Sequence, residues 1–348
     1  MKNIAAIAIL AIAMVSCKKE TTKITKVDPA TGKTVTVEVP ADSVKEVKEN
    51  PAIKDSLGVF TQTFKLEKGK TYPLTTYQRD VKTLTDPQGK TVSGTSESTD
   101  EMSFTVNDIK GNIYDMSINL LSKRSSQTAE GKTIAVDTKQ PIPKEDQLKM
   151  IWNINKALVG NKLDMKMDNK GNVISITGFD PIYTKINTAL ASIVKDAKQR
   201  NEMVNGLKQS FNEAVLKDQF NKNLVILPKK GAKIGGKWTA TENASPDGSV
   251  KVNSNYILKS VGNGIAEIGV TGGIPKKSDK ATKEGITHSL SNELTQNGNI
   301  KFDQNTGWIH HQNISVVTTQ VETLSDGKQS QSMKSVSNST VMVNPANK

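Results

Sequence analysis

Alternation with a period of two runs through this chain and restricts its fold more than any other feature. Tyr114, Met116, Ile118 and Leu120 alternate with polar residues, as do Leu163, Met165 and Met167, and then Ile174 and Ile176. Successive strand side chains point to opposite faces, so each run describes a strand with one dry and one wet face. One-sided faces suit antiparallel pairing, because parallel sheets are covered on both sides. The expected class is α+β: a predominantly antiparallel sheet, curved or a half-barrel, in two β-rich halves with a central helical pair.

The connections carry their own signal. "TDPQGK" (85–90), "NDIKGN" (107–112), "MDNKGN" (167–172) and "FDQNTGW" (302–308) each place an aspartate three or four residues before a glycine. Aspartate accepts from its own downstream backbone and glycine takes positive φ, so each reads as a hairpin turn. A calcium loop needs several oxygen side chains at alternate positions, and these turns offer about one carboxylate each. No metal is expected there. "KLDMKMDNKGNVISITG" and "NGNIKFDQNTGWIHHQN" share a strand–turn–strand pattern, which reads as a weak internal duplication with one copy closing each half.

Between the halves the period changes. Ile182, Ile186, Leu190, Ile193 and Val194 share one helical face, and Met203, Val204, Leu207, Phe211, Val215 and Phe220 share another. Pro181 suits a helix start, and Asn201 with Gly206 marks the expected break between the two. A shorter helix is expected around Glu145 to Leu158. After Pro228 the second β-rich half opens with "KKGAKIGGKWTATE", and the tail ending at Val341 to Val343 reads as an edge strand. The β-rich body therefore spans 58–348, as a first half (58–180), a helical segment (181–222) and a second half (223–348).

Aromatic residues make up only 4% of the chain, so aliphatic and β-branched side chains must do most of the burying. The single cysteine, Cys17, rules out an intramolecular disulfide. It follows a basic start, Met1-Lys2-Asn3, and an uncharged run from Ile4 to Val15, too short for a membrane-spanning helix and right for a secretory signal. Residues 17–57, with Pro29, Pro40 and Pro51, read as a flexible tether reaching about 35 Å root-mean-square. Within it, "KVDPATGKTVTVEV" has a turn signal at Asp28 to Gly32 and alternating valines, and so could pair as a hairpin that must dock to be stable.

Formal net charge is +12, but all the basic residues except Arg79, Arg124 and Arg200 are lysine. Phosphate and base recognition favour arginine's planar fork, so no nucleic-acid partner is expected. Spread lysines suit a solvated surface facing anionic envelope components.

Catalytic signatures are missing from the pattern. His310 and His311 are adjacent, so on a regular strand they face opposite ways and cannot both ligate one ion. A site at His288 would need carboxylates that the sequence does not identify. There is no Gly-x-Ser-x-Gly elbow, and Trp152, Trp238 and Trp308 are dispersed, with two of them expected in the core. No catalytic residue, metal ligand or cofactor is expected. The remaining feature is architectural: helices laid on a curved sheet leave room for an apolar groove, which Met102, Met116, Met165 and Met167 are adaptable enough to line.

Met14-Val15-Ser16-Cys17 resembles a bacterial lipobox, departing from it at Met14, where the pattern prefers leucine. The resemblance implies cleavage of the 1–16 signal peptide between Ser16 and Cys17, with Cys17 acylated and the protein held on a membrane by that lipid. From about Leu57 onward the chain resembles an uncharacterised family of Bacteroidota lipoproteins built on a domain of unknown function. "LEKGKTY", "GNKLDMKMDNKGNVISITGFD", "IGGKW" and "KFDQNTGWI" carry that likeness. It implies an envelope lipoprotein and no particular reaction. Surface-exposed lipoproteins of that phylum tend to carry acidic residues after the acylated cysteine; Lys18-Lys19-Glu20 departs from this and points to the outer membrane with the body in the periplasm. A looser fold-level analogy is to the periplasmic carrier and acceptor proteins whose half-barrels embrace acyl chains. The expected function is a non-enzymatic, membrane-anchored envelope protein that binds a hydrophobic ligand or an envelope protein. The alternatives are an envelope hydrolase acting on a lipid or polymer, and a structural spacer with no pocket.

Overall fold

A computed structural model of the chain describes residues 21–27, 33–40, 50–243 and 250–345. The signal segment, Ser16, Cys17, Lys18-Lys19-Glu20 and the Asp28–Gly32 turn lie outside the described residues. Strands β1 (Thr21–Val27) and β2 (Thr34–Pro40) pair antiparallel, in register from Thr21–Pro40 to Val27–Thr34. A second small hairpin joins β3 (Ile53–Ser56) to β4 (Val59–Gln62).

All other strands described form one 12-stranded antiparallel sheet. Its first half holds β5 (Thr71–Thr85), β6 (Thr91–Lys110), β7 (Ile113–Ala129), β8 (Lys132–Asp137), β9 (Lys162–Asp168) and β10 (Val173–Thr177). Its second half holds β11 (Lys237–Asn243), β12 (Lys251–Gly262), β13 (Ile265–Lys283), β14 (Ile286–Asp303), β15 (Ile309–Ser325) and β16 (Ser330–Val343). The strand order is β10-β9-β7-β6-β5-β16-β15-β14-β13-β12-β11, with β8 also on β7. The two sequence halves are thus contiguous halves of one sheet. The C-terminal strand β16 is no edge strand: it is the seam, pairing β15 on one side and β5 on the other. Its Ser- and Asn-rich composition points to an edge, yet within the sheet Ser330, Ser332 and Asn338 are exposed while Ser335, Ser337 and Ser339 are half-buried between neighbouring strands.

Register shows what the alternation accomplishes. Leu163, Ile118, Phe104 and Tyr72 lie opposite one another across β9, β7, β6 and β5, and Ile300, Ile268 and Leu258 across β14, β13 and β12. These rows make the inner face, and every one of these residues is buried. The intervening positions, such as Ser103, Thr105, Asn119, Asn297 and Asn299, form a polar outer face. At about 3.3 Å per residue, 20-residue β6 is about 65 Å long and outruns the core. Beyond it the strands are tied by hydroxyl pairs such as Thr83–Ser93 (2.8 Å) and Thr323–Ser332 (3.1 Å).

The alternation breaks at one position for a local reason. Ile174 is 45% exposed, because a register shift between Val173 and Ser175 turns Val173 and Ile176 inward instead. An extra residue in a strand changes the phase, which period-two counting cannot see.

The helical segment is in place but subdivided. Besides α1 (Asp146–Leu158), it contains α2 (Phe179–Ala191), α3 (Ala197–Ser210) and α4 (Glu213–Asn223). Asn201 and Gly206 sit inside α3 rather than at a break. The actual starts are set by side-chain caps: Asp196 accepts from the amides of Lys198 and Gln199, and Asn212 from that of Val215.

The segment 52–66 runs across the core end of the sheet, held by two of the predicted turns. Phe64 N–H donates to Asn169 O (2.7 Å) in the β9–β10 turn, and Lys65 N–H to Thr306 O (3.0 Å) in the β14–β15 turn. Ala52 and Ile53, placed in the tether by the sequence, have no exposed surface and bond the backbone of Asn305 and Gln304. The two look-alike hairpins therefore share a job, gripping this segment. They do not hold equivalent places, since β9–β10 ends the sheet and β14–β15 lies inside it.

Candidate functional site

Between the inner face of the sheet and the helices lies a cavity of about 410 Å³. Its floor is apolar: Leu74 from β5, Met102 from β6, Leu120 from β7, Ile309 from β15, and Val341 and Val343 from β16. These residues face it because each sits on the inward phase of its strand, on the same rows that build the core. Its roof is Leu158 at the end of α1, Phe211 between α3 and α4, Leu216 and Phe220 on α4, and Leu224. Leu216 and Phe220 are four residues apart and so share one helix face. Phe220 meets Phe104 edge-on at 5.3 Å, and Phe211 meets Phe179 at 5.5 Å, which fixes the height of the roof.

One side of the cavity is polar. Asp100 and Lys123 are opposite one another on β6 and β7 and pair at 2.6 Å. Next to them, where Leu121 is an extra residue in β7 opposite Glu101 and Met102, Glu101 also lines the space, and both its oxygens accept from Lys139 Nζ at 2.7 Å. That hydrogen bond holds the Glu101 carboxyl below the usual glutamate range, against a smaller opposing effect of burial. Gln312, buried on β15, and Gln219 and Asn223 on α4 complete the rim. The result is an amphipathic space, greasy along its length and hydrogen-bonding along one side.

Of the four methionines singled out, only Met102 lines this space. Met116, Met165 and Met167 are 1%, 1% and 0% exposed and belong to the packed core. Trp308 is core, packed on Phe64, Tyr72 and Phe104, with its Nε1 donating to Pro73 O at 2.9 Å. Trp238 stacks on Tyr256 at 5.5 Å, and Trp152 on α1 donates to Asp137 O and Gln140 O. The histidines are separated: His288 meets Glu322 at 2.7 Å far along the sheet, His311 contacts Asn344 O at 3.1 Å, and His310 is exposed. Among the described residues no three His, Cys, Asp or Glu come together as a metal site. No helix among them is long and apolar enough to cross a membrane. The cleft between α1 and α2, lined by Asn153, Pro181, Thr184 and Thr188, is larger but shallow and open to solvent.

Of the roof residues, Phe211 and Phe220 were legible only as part of a helix face that took in Val215 rather than Leu216; α4 starts afresh at the Asn212 cap, which leaves Val215 exposed and buries Leu216. Nothing in their spacing separates a face packed to contact from one standing off the sheet.

Residues 111–309, over half of the chain, match the model of a family described as "Family of unknown function (DUF6263)". The chain belongs to that family. The match runs from the β6–β7 turn to the first residue of β15, and so takes in both gripping turns and all four helices. No curated protein matches this DUF6263 chain. Among solved structures it is similar to one described as lipid-protein interactions in lipovitellin, at 11% identity and TM-score 0.34, covering 82% of this chain. It spans about a quarter of that chain's length (26%). It is also similar to the COG4313 outer membrane channel from Pseudomonas putida F1, at 10% identity and TM-score 0.17, covering 80% of this chain and 97% of that one. A mutant Rh. blastica porin matches at 7% identity and TM-score 0.16, covering 78% and 99%.

Proposed function

We propose that this DUF6263 chain is a non-enzymatic, membrane-anchored lipoprotein of the cell envelope that binds a ligand with an apolar chain between its sheet and its helices. The observation that carries the reading is the cavity of about 410 Å³ with an apolar floor and roof, within the range of small-molecule pockets. A spacer would be packed solid there. The charged groups at its rim are engaged with partners, Asp100 with Lys123 and Glu101 with Lys139, which favours holding a ligand over catalysis.

The anchor in this proposal is acylated Cys17, released from the signal by cleavage after Ser16, and Lys18-Lys19-Glu20 favour the periplasmic side of the outer membrane for the body. The test is purification of residues 18–348 from the native envelope, followed by organic extraction and mass analysis. A stoichiometric amphiphile is the expected result; a bare protein that retains its fold contradicts the proposal. Protease shaving of whole cells checks the membrane face, with the body protected if it is periplasmic.

A further inference from the structure

A second cavity of about 290 Å³ adjoins the first and shares Gln78 and Ser98 with it. One molecule can therefore extend from the apolar space into this one, beneath α1. The two differ in chemistry. The floor of the second is built of two cross-strand rungs on the inner face, Gln78–Ser98–Ser125 and Asp80–Ser96–Gln127, running over β5, β6 and β7. Two residues along a strand separate the rungs by about 7 Å, close to the width of a single sugar ring.

The rungs offer hydrogen bonds rather than charge. Among the described residues, the side chains of Ser96, Ser98, Ser125 and Gln127 make no hydrogen bond, so four donor–acceptor groups face the space. Asp80 is already engaged, accepting from Gln78 Nε2 at 2.8 Å and from Ser339 Oγ. Glu97, at the margin, accepts from Tyr77 Oη at 3.0 Å and pairs with Arg79 at 3.3 Å. Among the described residues no lysine or arginine lines this cavity, and Lys123 at the junction is committed to Asp100. An anionic head would meet carboxylates without a free cation, and a cationic head would have to displace existing partners. Leu148 and Ile151 on α1, facing the rungs, suit the C–H faces of a ring, and Ile134 on β8 extends the second rung beyond Gln127.

We infer that the ligand of the apolar cavity carries an uncharged, hydroxyl-rich head group of the sugar or polyol class, seated on the Gln78–Ser98–Ser125 and Asp80–Ser96–Gln127 rungs. This rests on the proposed binding of an apolar chain, and the experiment separates the two claims. Octyl-β-glucoside, octyl phosphate and octylammonium share one chain and differ in the head. Each is titrated calorimetrically, below its critical micelle concentration, into the protein from residue 18 onward. The glucoside should bind about tenfold tighter than either ion, the equivalent of one or two net hydrogen bonds. The double variant Ser98→Val/Ser125→Val should erase that preference while leaving octylammonium affinity and the melting temperature in place. Equal or tighter binding of the phosphate or the ammonium compound overturns the head-group inference and leaves the apolar cavity standing. Failure of all three to bind overturns both.

Discussion

The side-chain amide of Gln62 donates to the carbonyl of Gly307 at 3.2 Å, across 245 positions of sequence. The same nitrogen donates to Leu224 O at 2.9 Å, and Gln62 Oε1 accepts from the amides of Ile226 and Leu227. One buried side chain thus joins the N-terminal segment, the exit of α4 and the β14–β15 turn. Its neighbours extend the same junction: Tyr114 Oη donates to Phe64 O at 2.8 Å and accepts from Leu66 N–H. The roof of the cavity is fixed at this point, because Leu224 both lines the cavity and anchors to Gln62.

Gln62→Leu keeps the volume but strands two carbonyls and two amides in a buried place. At about 1–3 kcal/mol for each group that finds no water, the variant should lose about 2–5 kcal/mol in urea unfolding. A loss below about 1 kcal/mol would show that the junction is not a structural hub.

Glycine at 307 answers to two constraints at once. Its φ is +75°, and a Cβ would run into the carbonyl of Thr63. Gly89, in the β5–β6 turn, has φ +82° with open space around it. Gly89→Ala should therefore cost about 1 kcal/mol from backbone conformation alone. Gly307→Ala should cost clearly more, since backbone must move; equal melting temperatures for the two variants would contradict the gripping role assigned to the turn.

The Lys139–Glu101 pair ties the loop after β8 to the cavity side of β6. Glu101 titrates lower in the folded protein than in the unfolded chain, so the pair stabilises the fold above the ordinary glutamate range. That contribution is lost as pH falls through the folded value. Lys139→Met should flatten the fall in melting temperature below about pH 4, and an unchanged acid-side profile would remove this role.

Filling the cavity should separate binding from stability. Val341→Trp places an indole on the floor between β15 and β5, where the existing space accommodates it. The melting temperature should hold or rise, and octyl-chain affinity should fall by about tenfold or more, the equivalent of losing burial of a few methylene groups. Undiminished affinity would move the ligand elsewhere.

Strand identity, antiparallel pairing and the mechanism of the turns were legible because each rests on local chemistry. Asp86, Asp168 and Asp303 accept from their own downstream amides, as their spacing implies. The exception is Asp108, which pairs with Lys68 at 2.7 Å and leaves Gly111 to make the turn. What stayed hidden is non-local. A bulge moved Ile174 outward, β16 joined the two halves because of where β5 needed a partner, and residues 52–66 gained their place only from turns more than a hundred residues away. The cavity belongs to the same class, since its existence depends on how far α4 stands from β6, a distance that no spacing in the sequence encodes.

The central claim is that an apolar chain enters between sheet and helices, and Met102 is placed to report it. With ¹³C-methyl-labelled methionine, adding octyl-β-glucoside should shift the Met102 methyl resonance while Met165 and Met167, sealed in the core, stay in place. A Met102 resonance that does not move at saturating ligand, or core methionines that move equally, would contradict the account.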